Sequence, residues 1–127
     1  MFKNTKAFSG FSVDDLEKAR HFYGDVLKIK VIPDKAMPVL ELHIEGGIPL
    51  VIYEKPNHNP ATFTVLNFPV SNIETAVKDL EVLGIVFEDY DFPGLKTGQD
   101  HIFRDPNGGP RIAWFKDPAG NILSVLQ

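Results

Sequence analysis

A chain of 127 residues, 43% hydrophobic and 24% charged with mean hydropathy -0.08, has the composition of one folded domain, or of two small halves sharing a core. It is too apolar for a disordered segment, and no run approaches the roughly 20 apolar residues of a bilayer span. Without cysteine it has no disulfide, thiol nucleophile or thiolate metal site, and a net charge of -4 argues against nucleic acid as a partner.

Met1 to Lys6 shows no apolar core and no small-residue cleavage site, which predicts a cytoplasmic protein with no membrane partner. Lys6 to Val13 alternates and predicts a strand. Asp14 is the expected cap of a helix from Asp15 to Leu27, with Leu16, Ala19, Tyr23, Val26 and Leu27 on one face and acids in the first turn. Lys28 to Ile32 is a short strand stopped by Pro33. Val39 to Ile44 and Leu50 to Glu54 are strands joined by the hairpin turn Glu45-Gly46-Gly47. The polar stretch Lys55 to Pro60, with two prolines, is the midpoint connector.

The order then restarts. Thr62 to Val70 predicts a strand, Ser71 or Asn72 caps a helix running to Leu83, and Gly84 ends it. Ile85 to Phe87 is a short strand. Glu88 to Pro110, with four glycines and three prolines, is a loop long enough to suggest function or mobility. Arg111 to Phe115 and Asn121 to Leu126 are the closing strands, joined by Asp117-Pro118-Ala119-Gly120, whose aspartate is expected to bond backbone groups, as is Asp105 in its own turn.

Phe11 to Ala19 aligns with Phe68 to Ala76. Phe, Val, Glu and Ala are identical at matched places, and Leu16 aligns with Ile73. The matches are what a strand-to-helix junction needs: apolar strand positions, a cap and an acid in the first turn. The chain therefore reads as a duplication, with one module at about 5–55 and a second at about 62–127.

With these residues the chain resembles the vicinal oxygen chelate superfamily, which includes glyoxalase I, extradiol dioxygenases, fosfomycin-resistance enzymes and bleomycin-resistance proteins. The likeness spans the whole length. It rests on Val13-Asp14-Asp15-Leu16 with Phe22-Tyr23 and Val26-Leu27 downstream, on the repeat, and on the closing Ala113-Trp114-Phe115-Lys116-Asp117-Pro118-Ala119-Gly120-Asn121-Ile122-Leu123. The resemblance implies an α+β fold. Two tandem βαβββ modules form a single domain, 1–127, whose curled mixed sheets surround a shared cavity, usually completed in a homodimer.

The resemblance also implies a metal, held in metal-dependent relatives by His or Glu from the first and last strands of each module. Carried over position by position, those places hold Phe8, Val65 and Ser124, with the fourth at Leu50 or Ile52, or at Glu54 if the strand shifts. A divalent ion needs imidazole or carboxylate lone pairs, three of them in a typical catalytic zinc site. Phenylalanine and valine have none and serine is a poor ligand, so the expectation is no metal and no cofactor. The histidines do not replace the set: none forms an i, i+4 pair, His21 and His58 are expected to face solvent and His43 to sit on a sheet. His101, in the long loop, is the one considered for an acid–base role.

Strand alternation predicts the neighbours of these positions. Gly10 and Ser12 accompany Phe8; Phe63 and Asn67 accompany Val65; Ile122 and Leu126 accompany Ser124; Ile52 and Glu54 accompany Leu50. A wall of Phe8, Leu50, Ile52, Phe63 and Val65, with Glu54, Asn67 and Ser124 as its polar groups and Trp114 as an aromatic platform, is suited to a small-molecule ligand. The acidic run Glu88-Asp89-Tyr90-Asp91 is of interest because bleomycin-resistance proteins bind cationic drugs through acidic surface and aromatics. The leading expectation is a metal-independent protein that binds a small, partly apolar molecule. Its alternatives are a glyoxalase- or dioxygenase-type enzyme with a metal site rebuilt from Glu54, His43 or His101, and a dimeric interaction module with a filled cavity.

Overall fold

A strand persists only where its backbone finds a partner, and this trims the first one. In the computed structural model, which describes residues 1–127, β1 is Gly10–Val13 rather than Lys6 to Val13. Its partner, β4 (Leu50–Glu54), offers Val51 to Glu54 opposite it, and Ser9 O accepts one last bond from Val51 N at 3.0 Å. The chain divides into two units, Met1–Pro60 and Ala61–Gln127, at the end of the proline-containing connector.

In the first unit the helix cap is Asp15, not Asp14: Lys18 N donates to Asp15 Oδ1 at 3.0 Å. The expected single helix is a short α1 (Leu16–Arg20) followed by a π-helical segment, His21–Val26. The wider π turn, with Leu27 N bonded to Phe22 O at 2.9 Å, lets the adjacent Phe22 and Tyr23 both point inward. They are buried and meet edge to face at 5.1 Å. Next come β2 (Lys30–Pro33), β3 (Val39–His43) and β4, with the glycine turn between the last two. The sheet order is β1-β4-β3-β2, with β1 parallel to β4 and the other pairs antiparallel. Val13, Leu40, Leu42 and Ile52 are buried on one face of this sheet with Ala19 of α1 and Tyr23, and they make the core of the unit.

The second unit shares the strand-to-helix opening and the parallel pairing of first and last strands, but its main sheet has three strands rather than four. β5 (Thr64–Pro69) leads to α2 (Ile73–Val82), capped by Asn72, whose Oδ1 accepts from Thr75 N at 2.9 Å. Gly84, at φ +92, takes the left-handed backbone that ends it. β8 (Ile112–Lys116) and β9 (Ile122–Leu126) complete a sheet of order β5-β9-β8, with β5 parallel to β9. The strand expected at Ile85 to Phe87 is reduced to a single bridge between Phe87 and Phe115, because only Phe87 comes into register. The long loop carries a small hairpin of its own, β6 (Asp91–Phe92) and β7 (Leu95–Lys96). Ile73 and Val77 of α2 cover Ala113, Phe115, Leu123 and Val125 of the sheet. Burying a side chain of this size contributes about 1.5–3 kcal/mol. No helix is long and apolar enough to cross a membrane.

The turn between β8 and β9 depends on one carboxylate. Asp117 Oδ1 accepts from the backbone of Ala119 and of Asn121, each at 2.9 Å, and Oδ2 from Asn121 Nδ2 at 3.1 Å, with Asp117 and Asn121 both buried. Asp105 does the same in the open, accepting from Asn107 N at 2.9 Å. Removing the Asp117 carboxylate would leave buried donors unsatisfied, which costs about 1–3 kcal/mol for each group. Asp117→Ala is therefore expected to lower unfolding stability by about 2–4 kcal/mol in urea titrations, whereas Asp105→Ala is expected to stay within about 1 kcal/mol.

Candidate functional site

Each sheet has one face under its helix and one facing away, and pairing register decides which side chains share a face. In the second unit Asn67 lies opposite Ser124, and Ser124 opposite Trp114. These three predicted site residues are therefore brought together, on the face away from α2. β5 is irregular between Thr64 and Leu66, where one extra residue enters the strand. The irregularity breaks the alternation expected through Phe63, Val65 and Asn67. It puts Thr64 on the Trp114 face, where Thr64 Oγ1 accepts from Trp114 Nε1 at 3.2 Å. Val65 sits half-buried within the irregularity, and Phe63 precedes the strand, exposed.

Ser124 is fully buried and donates to Asn67 Oδ1 at 2.6 Å, which leaves the exposed Asn67 Nδ2 as a donor. The long loop adds an aromatic wall that its sequence did not reveal. Tyr90 meets Trp114 edge to face at 5.4 Å and stacks on Phe92 at 5.6 Å, and Phe103 lies 6.2 Å from Trp114. Burial, and secondarily the nearby Glu88 carboxylate, raises the Tyr90 phenol above its usual value and keeps it neutral. Glu88 is itself paired to Lys116 at 2.9 Å and Asp89 to His101 at 2.7 Å. The acidic run is thus largely compensated. Only the spacing of Tyr90 and Phe92, two apart in a polar loop, hinted in the sequence at a shared face.

In the first unit the register corrects the expected grouping. Gly10 lies opposite Val51 and Ser12 opposite Tyr53, so Leu50, Ile52 and Glu54 face the other way from Gly10 and Ser12. Ile52 is buried in the core on the α1 side, Leu50 is half-buried, and Glu54 is exposed at the strand end. Phe8 lies ahead of β1 and is exposed. A glycine at position 10 fits the close approach there, since a Cβ would meet Val51 O at 2.9 Å. The face away from α1 carries Ser12, Glu41, His43, Val51 and Tyr53. His58 is half-buried rather than solvent-facing, with Nδ1 2.7 Å from Ser12 Oγ. His43 pairs with Glu41 at 3.1 Å, and His21 with Asp25 at 3.0 Å.

Register also fixes which residue of β4 corresponds to Ser124. Gly10 and Asn67 are matched in the repeat, and Ser124 faces Asn67 as Val51 faces Gly10. Val51, not Leu50 or Ile52, is therefore the counterpart of Ser124. Phe8, Val51 and Val65 carry no lone pair, and Ser124 Oγ is already committed to Asn67. These residues do not fit a divalent ion. No three His, Asp or Glu side chains gather elsewhere to form one.

A family model described as Glyoxalase/Bleomycin resistance protein/Dioxygenase superfamily matches residues 8–125. Among solved structures, a glyoxalase family protein from Enterococcus faecalis is 22% identical, with both chains covered over 100% and a TM-score of 0.72. A superfamily member from Sphaerobacter thermophilus is 20% identical at TM-score 0.68, covering 96% of this chain and 97% of its own. A lactoylglutathione lyase from Agrobacterium tumefaciens is 20% identical at TM-score 0.67, over 97% of this chain and 92% of its own. No curated protein matches. At these identities the structural neighbours speak for the fold, while the match over residues 8–125 decides the family: the chain belongs to the glyoxalase/bleomycin resistance protein/dioxygenase superfamily.

Proposed function

We propose that this protein binds a small, partly apolar molecule without a bound metal, on the face of the β5-β9-β8 sheet that carries Trp114. The observation that carries the proposal is chemical. Where metal-dependent relatives place ligands, this chain has Phe8, Val51, Val65 and a Ser124 already hydrogen-bonded to Asn67. What the face offers instead is an aromatic wall of Trp114, Tyr90, Phe92 and Phe103 with a few polar groups, Asn67 Nδ2 foremost. Apolar area supplies affinity at such a site and a few donors set orientation. A lyase or dioxygenase reading would need a ligand set assembled from other side chains.

Trp114 is the only tryptophan, so its fluorescence reports on this face alone. Titration with planar aromatic compounds, neutral and cationic, is expected to quench it saturably. Asn67→Ala is expected to weaken that binding about fivefold to tenfold, the value of about one hydrogen bond. Unchanged Trp114 emission across the whole panel would remove the proposal.

The same reading takes the chain as a single cytoplasmic domain, without nucleic-acid or membrane partners, that acts as a homodimer. Exposed Phe8 and Phe63, 67% and 68% accessible, support self-association, because apolar side chains this open favour burial against a partner. Sedimentation equilibrium at micromolar concentration is expected to return twice the 14.2 kDa chain mass. A monomer mass at that concentration would contradict the dimer.

A further inference from the structure

On the opposite, α2 side of the same sheet, a second constellation lies apart from Trp114. Its centre is His101, at φ +69, in the left-handed region that non-glycine residues seldom adopt. The turn around it is fixed by His101 N to Gly98 O, Gly98 N to Ile102 O and Ile102 N to Asp100 Oδ1, at 3.0, 3.0 and 3.2 Å. Backbone held this way directs the imidazole onto two partners. The ring stacks on Phe87, with centroids 6.3 Å apart and planes at 17°, and Nδ1 is 2.7 Å from Asp89 Oδ1. A carboxylate at Nδ1 keeps the proton there and leaves Nε2 as a hydrogen-bond acceptor.

His101 lines a cleft of about 360 Å³ between its loop and α2. Val77 and Ile102, both buried, form the apolar floor. Two acids at the rim are already engaged. Arg104 donates to Asp100 at 2.8 and 3.1 Å and holds that carboxyl below its usual range. Glu74 accepts from Arg111 at 2.7 Å and from Arg104 at 3.4 Å. The remaining polar lining is uncommitted: Lys78 and Glu81 make no ion pair, and the Gln99 amide and His101 Nε2 have no protein partner. Lys78 and Glu81 are three apart on α2 and so neighbours on one helix face, with opposite charges that do not meet.

We propose that this cleft is a second binding site, for a small zwitterion carrying one ammonium and one carboxylate. Glu81 and His101 Nε2 receive the ammonium, and Lys78 with the Gln99 amide receives the carboxylate. A ligand with only one charge satisfies half of this lining. The strained His101 backbone then has a use, since strain of this kind persists where the surrounding structure and a functional need hold it.

The test is an amide NMR titration of the full chain with glycine, β-alanine and 4-aminobutyrate, with acetate and methylammonium as single-charge probes. At least one zwitterion is expected to shift Lys78, Glu81, Gln99 and His101 saturably while the Trp114 indole stays in place, which separates this site from the sheet-face site. Asn also suits a left-handed backbone, so His101→Asn is expected to remain folded while weakening zwitterion binding about tenfold. No saturable shift with any of the three zwitterions would overturn the proposal. So would equal binding of acetate alone, or unchanged affinity in a folded His101→Asn.

Discussion

The parallel pairing of first and last strands governs each unit. A parallel partner cannot be reached by a tight turn, so the chain must cross over, and here it does so through a helix. That helix covers one sheet face with its apolar side, as Ile73 and Val77 of α2 cover Phe115 and Leu123. The other face is left to side chains that need not be apolar. Because opposite residues in a parallel pair share a face, a single register fixes both populations: Gly10 with Val51 in one unit, Asn67 with Ser124 in the other. A slip by one residue would exchange core and site.

Chemistry on the face away from the helix follows from which atoms the register presents. In the second unit it presents Asn67, Ser124, Thr64 and Trp114, and two of the polar side chains spend their bonding on each other. The loop between α2 and β8 then places Tyr90 and Phe103 beside the indole, with Phe92 stacked on Tyr90. Such a face suits an apolar body oriented by a few hydrogen bonds, and its charged groups, Lys116 and Glu88, are paired to each other. His101 and Asp89 pair elsewhere in this unit: the imidazole stacks on Phe87, and Phe87 meets Phe115, which strand alternation turns away from Trp114.

Much of the fold was legible in the sequence because its signals are local. The Asn72 cap, Gly84, the glycine turn before β4 and the Asp117 turn depend on residues a few positions apart, and each forms near where it was expected. The family was legible for the same reason, since its closing segment is contiguous. What escaped depends on pairing between distant strands. Five residues of β4 alternate equally well in either direction, so Ile52 could be assigned to the site when only the register with β1 puts it in the core. The extra residue in β5 and the π turn after Arg20 leave no compositional mark. Tyr90 and Phe92 gain meaning only when the loop is seen to return over Trp114. Of the ten phenylalanines, Phe22, Phe87 and Phe115 are buried, whereas Phe8 and Phe63 remain open, so packing accounts for only part of the aromatic content.

The central claim is that a superfamily fold is used here without its metal. Native mass spectrometry of the protein, offered zinc, nickel, manganese or ferrous iron in slight excess and then desalted, tests it most directly. The account predicts a spectrum of metal-free chain for every ion, because Phe8, Val51 and Val65 supply no ligand atom. One ion retained per chain, removable by a chelator and required for turnover, would contradict it.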